Sequence, residues 1–219
     1  KERSLIEKLL ELGFAPTKTI LFEGPPGVGK TMSARWLANK LELPLIVLDL
    51  ATVISSYLGK TGSNIRAVLD YASSFPCVML LDEFDAIAKR RDDERELGEL
   101  KRLVTVLLQT LDDWPESSIL IAATNHSELL DPAIWRRFDL QLKFSNPTPQ
   151  MIEAYIEQQH SDLKKHKKLL CELFSGKSFS DIERTFNLSR KEAFIKDQAL
   201  INILLGRNEN LKSVSNASQ

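Results

Sequence analysis

The chain has 219 residues and a formal net charge of −1, with 43% hydrophobic and 27% charged residues; this is the balance of an ordinary globular protein able to bury a sizeable core. Near-neutrality removes the simplest case for binding nucleic acid or a membrane surface through bulk charge. No apolar run approaches the roughly 18 residues of a membrane span, and no signal peptide is visible, so neither a membrane nor nucleic acid is expected as a partner. Cys77 and Cys171 make no disulfide or metal framework. Cys77 sits in an apolar run and reads as a small buried hydrophobe, and a cytoplasmic location is expected. Because it opens on Lys1 rather than Met, the chain is read as part of a longer one.

Short apolar runs alternate with helical patterns over the first two thirds. The first predicted strand is Thr19–Phe22, followed by a Gly-rich loop and a helix whose Ala34, Leu37, Ala38 and Leu41 share one face. A strand over Leu45–Asp49 leads through a Ser-Tyr-Leu-Gly loop to a second helical stripe, Ile65, Val68, Leu69 and Ala72. Strand Val78–Leu81 follows, then the charge-dense stretch Lys89 to Gly98, then a third stripe running Leu100, Leu103, Val104, Leu107, Leu108 and Leu111. Trp114-Pro115 pins the loop before strand Ile119–Ala123, and the last strand is Leu140–Phe144. Most strands read as near-continuous Val, Ile and Leu, as strands covered on both faces do. Strand–helix–strand alternation requires parallel pairing with right-handed crossovers.

The pattern changes after Phe144. Ser145-Asn146-Pro147 is a break, and Thr148-Pro149 reads as an N-cap with proline in the first turn. Only helices are predicted from there to Gly206. Ser180 to Glu183 and Ser189 to Glu192 both fit a capping box, starting either two helices or one with the second box inside it. The run Lys164-Lys165-His166-Lys167-Lys168 reads as a solvated helix face or as a weak partner contact. Trp36, four residues after Met32, reads as packing. The expected division is a large α/β domain over residues 1–146, a small helical domain over 147–207 and a polar tail over 208–219 that frays.

The strongest chemical signal is Gly24-Pro25-Pro26-Gly27-Val28-Gly29-Lys30-Thr31. It satisfies every constrained position of G-x-x-x-x-G-K-[ST] and has a strand before it and a helix after it. Phosphate oxygens need several successive backbone N–H groups, and glycines let the chain curl tightly around them. The helix N-terminus adds free N–H groups and a positive dipole end. Gly24, Gly27, Val28, Gly29, Lys30, Thr31 and Met32 are therefore the predicted nucleotide-binding set. Lys30 is expected to reach the β- and γ-phosphates, and Thr31 to ligate Mg²⁺. Val78-Met79-Leu80-Leu81-Asp82-Glu83 ends an apolar strand in two acids, placing Asp82 to hold the metal and Glu83 to polarise an attacking water. Asn125 ends the next strand in Ala122-Ala123-Thr124-Asn125, where its amide reads either as a sensor between γ-phosphate and Glu83 or as the start of a turn. Arg136 and Arg137 precede the last strand in Leu129-Leu130-Asp131-Pro132-Ala133-Ile134-Trp135-Arg136-Arg137-Phe138-Asp139. They read as surface ion pairs or as groups reaching a neighbouring subunit.

Taken together, these motifs resemble the AAA+ ATPases, and within them the AAA branch that threads polypeptides. The resemblance covers roughly residues 17 to 185. The adjacent arginines are similar to the katanin/spastin-like members. The resemblance implies a P-loop NTPase αβα sandwich with a five-stranded parallel sheet and a small all-helical lid. It implies Lys30 and Thr31 in Walker A, Asp82 and Glu83 in Walker B, Asn125 as sensor 1, and Arg136 and Arg137 as arginine fingers acting on ATP held by the next protomer of a hexameric ring. Tyr57-Leu58-Gly59 resembles a substrate pore loop, the other reading being a tyrosine anchoring the loop; Lys89 to Gly98 resembles a second pore loop or is a solvated loop with local ion pairs. The sequence departs from the family in lacking the Asp-Asp-Ile-Gly-Gly segment before the P-loop and in carrying Phe179 where a small residue is usual. It offers no evident arginine from the small domain, although Arg184 is nearby. The expected activity is ATP- and Mg²⁺-dependent remodelling of a protein substrate; the alternative is a nucleotide-gated switch that recruits a separate effector without threading. A nucleic-acid-linked ATPase predicts a basic stripe that the net charge does not support.

Overall fold

A computed structural model describes residues 2–56, 61–89 and 94–207. After a short helix α1 (Ile6–Glu11), the elements run β1 (Thr19–Glu23), α2 (Lys30–Leu41), β2 (Leu45–Asp49), α3 (Leu50–Ser56), α4 (Thr61–Ser73), β3 (Val78–Asp82), α5 (Ala86–Lys89), α6 (Glu94–Asp113), β4 (Ile119–Thr124), α7 (Pro132–Trp135) and β5 (Leu140–Lys143). The five strands form one sheet in the order β2-β3-β4-β1-β5, with every neighbouring pair parallel. This is the P-loop NTPase α/β sandwich that the alternation and the motifs imply. All strand C-termini therefore emerge on one edge of the sheet, and the predicted chemistry-bearing residues of β1, β3 and β4 share that edge.

Period-two alternation builds two cores. Leu21, Met79, Leu81 and Leu120 face a layer made with Ile65, Leu69, Leu103, Leu107 and Trp114. Ile20, Phe22, Val78, Leu80 and Ile121 face the other way, against Ala34 and Ala38 of α2. The three central strands are buried on both faces. The two outer strands depart from near-continuous burial: all four residues of β5 are exposed, and in β2 only Leu48 is buried.

Two details of this unit correct the sequence reading. Trp36 does not pack; it is 61% exposed, as is much of Met32. Helix α2 docks through the small Ala34 and Ala38, and two residues from Ala34 along a helix is roughly 200° around it, so both side chains point to solvent. Helix α3 was not anticipated. Asp49 caps it, accepting the Thr52 N–H at 3.1 Å and the Thr52 hydroxyl at 2.7 Å, which turns a β-branched segment into helix.

Residues beyond β5 are helical: α8 (Pro149–Gln159), α9 (Lys167–Leu173), α10 (Phe179–Lys196) and a helix over 200–207. Thr148 caps α8 as expected, accepting the Met151 N–H at 3.4 Å. The cap of α10 is Ser178, which accepts the Asp181 N–H at 3.2 Å and donates to the Asp181 carboxylate at 2.7 Å. The box thus lies two residues before Ser180, and one 18-residue helix contains Ser189 in its interior. Ile152, Ile156, Leu163, Leu170, Phe174, Ile182, Phe186 and Leu204 make this region's own core. The lysine run spans a 3₁₀ turn and the start of α9, where Lys167 pairs with Glu157 at 2.8 Å.

The chain forms two compact units, Lys1–Pro25 with Lys30–Phe144, and Pro26–Gly29 with Ser145–Gln219. No helix among the described residues is long and apolar enough to cross a membrane.

Candidate nucleotide site

Strand β1 ends at Glu23 and the chain turns at once. Gly24 has φ +146°, and a Cβ there would overlap the Phe144 carbonyl, so only glycine fits this close approach. Six residues after Gly24, α2 begins with Lys30 and Thr31. The Lys30 ammonium donates to the Gly24 carbonyl at 2.6 Å, the Pro25 carbonyl at 2.9 Å and Asn125 Oδ1 at 2.8 Å. Lys30 is buried, and burial pulls its pKa down, opposed by the carboxylates of Asp82, Glu83 and Asp85. It is thus a desolvated cation held by three oxygens beside three carboxylates.

Thr31 and Asp82 meet directly. The Thr31 hydroxyl donates to Asp82 Oδ2 at 2.9 Å. A hydroxyl and a carboxylate oxygen on one spot suit a hard divalent cation, and Mg²⁺ ordinarily takes one or two protein oxygens and completes its shell with water and phosphate. The residues present therefore fit that ion.

Glu83 follows with φ +53°, in the left-handed region that a glutamate rarely adopts. Its N–H donates to Asp82 Oδ1 at 3.0 Å. Its carboxylate accepts from the Asn125 side-chain amide, with both oxygens 3.2 Å from Nδ2. One side chain, Asn125, thereby touches both Lys30 and Glu83. Its position at the end of β4, which pairs with both β1 and β3, makes this possible.

Arg136 and Arg137 lie at the other edge of the sheet. The Thr19 hydroxyl donates to the Arg137 carbonyl at 3.2 Å, and Asp139 Oδ2 accepts the N–H groups of Lys18 and Thr19 at 2.9 Å each. This segment is pinned to the N-terminal end of β1, whereas Gly24 lies beyond its C-terminal end. Four residues of strand put roughly 13 Å between the two levels. The two arginines also differ: Arg137 is ion-paired with Asp112 at the end of α6, while Arg136 has no ion pair among the described residues. A cleft of about 540 Å³ in this region is lined by Lys18, Asp112, Arg136, Arg137 and Asp139.

Of the predicted set, Gly24, Lys30, Thr31, Asp82, Glu83 and Asn125 are brought together. Gly27, Val28 and Gly29 belong to the other compact unit. The Met32 side chain is exposed. Tyr57, Leu58 and Gly59 lie outside the described residues. Of the second pore-loop candidate, 90–93 lie outside them and 94–98 open helix α6. Sequence reasoning missed Asp85, which is fully buried behind the site. Its signal was present in Asp82-Glu83-Phe84-Asp85: a third acid among apolar residues must be bonded to survive there.

Residues 20–146 match the family described as the ATPase family associated with various cellular activities (AAA). An uncharacterised AAA family ATPase of Sinorhizobium fredii is 40% identical over 202 residues, covering 90% of this chain and 60% of that protein. A 26S proteasome regulatory subunit S10B homologue of Arabidopsis thaliana is 32% identical over 170 residues, covering 74% of this chain and 43% of its own length. Proteasome-activating nucleotidase 2 of Halobacterium salinarum is 34% identical over 158 residues, 69% of this chain and 38% of that one. The chain thus spans between about four and six tenths of these relatives. The match over residues 20–146, with Lys30, Thr31, Asp82, Glu83 and Asn125 gathered at one edge of the sheet, places this chain in the AAA family of ATPases.

Proposed function

We propose that this protein hydrolyses ATP with Mg²⁺ and uses the energy to remodel a protein substrate. The observation that carries the reading is the contact set at the sheet edge: Lys30 to Asn125, Asn125 to Glu83, and Thr31 to Asp82. The N–H groups of Val28 to Met32 face the phosphates, and Lys30 binds the β- and γ-phosphates. Thr31 and Asp82 hold the metal ion, which when bound neutralises phosphate charge. Glu83 accepts a proton from the water whose oxygen attacks the γ-phosphorus as the bond to ADP breaks. Asn125 orients that water and carries the state of the phosphate to Glu83.

Arg136 and Arg137 act on ATP of a neighbouring protomer. Their place at the opposite edge from their own Lys30 supports this, since the gap exceeds an arginine's reach. A closed homo-oligomer, hexameric as in the katanin/spastin-like branch, satisfies that geometry. Residues 1–146 form the large domain, 147–207 the lid and 208–219 a tail. Tyr57, Leu58 and Gly59 grip the substrate in the pore. Two relatives with proteasome-regulatory or proteasome-activating names support a protein substrate, and the location is cytoplasmic.

The test is ATPase rate against protein concentration, with oligomer mass measured alongside, for wild type, Glu83→Gln, Arg136→Ala and Arg137→Ala. Cooperative activity lost in each variant while ATP still binds sustains the reading. A monomer indifferent to both arginines overturns the trans assignment and favours the nucleotide-gated switch.

A further inference from the structure

Asp85 has no solvent exposure and lies two residues beyond Glu83. Its Oδ1 accepts the Thr124 hydroxyl at 3.0 Å and the Asn125 backbone N–H at 3.2 Å. Thr124 Oγ1 accepts in turn from the His126 N–H at 3.1 Å. Next to it, the Phe84 N–H donates to the Ala123 carbonyl at 2.9 Å. The loop leaving β3 is therefore stitched to the end of β4 just after Glu83. A buried carboxylate is costly to the fold, and an apolar residue fills such space without that cost. What an apolar residue lacks is the acceptor that fixes the peptide plane before Asn125.

We infer that Asp85 is a positioning residue for hydrolysis: by holding the Asn125 backbone, it sets where the Asn125 amide meets the Glu83 carboxylate. This rests on the ATPase reading above. With its N–H held, Asn125 keeps one Cα–Cβ direction. Only side-chain rotation is left, so it can exchange Lys30 and Glu83 for other partners while its backbone stays in place. Glu83 gains from the same anchor, because its left-handed backbone is clamped by Asp82 on one side and by Phe84 and Asp85 on the other. Pre-set geometry of this kind acts on the chemical step rather than on binding.

The experiment compares Asp85→Ala, Asp85→Asn and Thr124→Val in the intact protein, each alone and with Asn125→Ala. The readouts are kcat and the affinity for a fluorescent, non-hydrolysable ATP analogue. Asp85→Ala is expected to lower kcat at least tenfold, the scale of losing a hydrogen bond to a charged group, with affinity changed less than about threefold. Asp85→Asn keeps an acceptor oxygen and recovers part of the rate. In the Asn125→Ala background Asp85→Ala costs little more, because its effect passes through Asn125. If Asp85→Ala does not fold, Thr124→Val carries the same test from the other side of the bond. Equal proportional losses in both backgrounds, a parallel fall in affinity, or unchanged kcat each overturn the inference. A wild type without turnover, or a Glu83→Gln variant as fast as wild type, overturns the ATPase reading itself and so is told apart from a neutral Asp85.

Discussion

The Asn125 side-chain amide donates to both carboxylate oxygens of Glu83, each at 3.2 Å. The oxygen of that same amide is bonded to Lys30. On the proposed reading, a phosphate that draws Lys30 toward itself takes it from Asn125, so that arrival of the nucleotide and the setting of Glu83 would pass through one side chain.

Lys30→Ala is expected to weaken ATP binding by roughly 10- to 100-fold, the loss of charge-assisted hydrogen bonds of about 1.5–3 kcal/mol. Titration with a fluorescent ATP analogue checks this. Affinity within twofold of wild type would remove Lys30 from the phosphate site.

Glu83 stands in the left-handed region at φ +53°, and such backbone costs about 1 kcal/mol or more for an ordinary residue. Asparagine tolerates it better. Glu83→Asn should therefore be more stable than Glu83→Gln by about 1 kcal/mol in urea unfolding without nucleotide, while both variants lose hydrolysis. A less stable Glu83→Asn contradicts strain at this position.

Arg137 is paired with Asp112 on a partly exposed surface, and Arg136 is not. Arg137→Ala should cost the isolated chain no more than about 1 kcal/mol, and Arg136→Ala less than about 0.5 kcal/mol. In the assembled protein each is expected to lower turnover by roughly 10³–10⁵. Mixing Glu83→Gln with Arg136→Ala subunits should restore some activity, since mixed interfaces contain intact pairs. Mixtures as inactive as their parents argue against action in trans.

His160 is buried in the helical region, stacked on Phe186 with ring centroids 3.7 Å apart, and its Nδ1 lies 3.1 Å from Arg190. Burial first and Arg190 second lower its pKa, against the opposing pull of Asp162 and Glu183. A group whose folded pKa is depressed gives stability that is complete above the unfolded pKa, about 6.5 for histidine, and is lost as pH falls from there toward the folded value. Thermal unfolding should thus move to lower temperature between about pH 6.5 and 5.5, before most carboxylates titrate. His160→Gln should flatten that slope; an equally steep variant assigns the effect elsewhere.

The sheet was legible because its central strands are unbroken apolar runs, and the P-loop because its glycines and Lys30-Thr31 have a strand and a helix on either side. Helix α3 was not, since Val53 and Ile54 favour strand and only the Asp49 cap redirects them. Trp36 was misjudged because spacing to Met32 shows a shared face but not which face docks. The choice fell to Ala34 and Ala38, whose small side chains let the helix approach. The ion pair of Arg137 joins residues of α6 and the segment before β5, and Asp85 meets the end of β4 at Thr124 across 39 residues. Such contacts are set by strand order, which local periodicity does not encode.

Strand order also governs how the chain is made. Strand β1 lies between β4 and β5, and Thr19 finds its partner only at Leu120. At roughly 5–20 residues per second, the ribosome leaves β1 unpaired for several seconds, its Ile20, Leu21 and Phe22 open to solvent. Closing a loop of that length makes folding slow and late. Of the five strands, the one that carries the phosphate loop is thus the first to emerge and among the last to be paired, which leaves it open longest to aggregation or to capture by a chaperone.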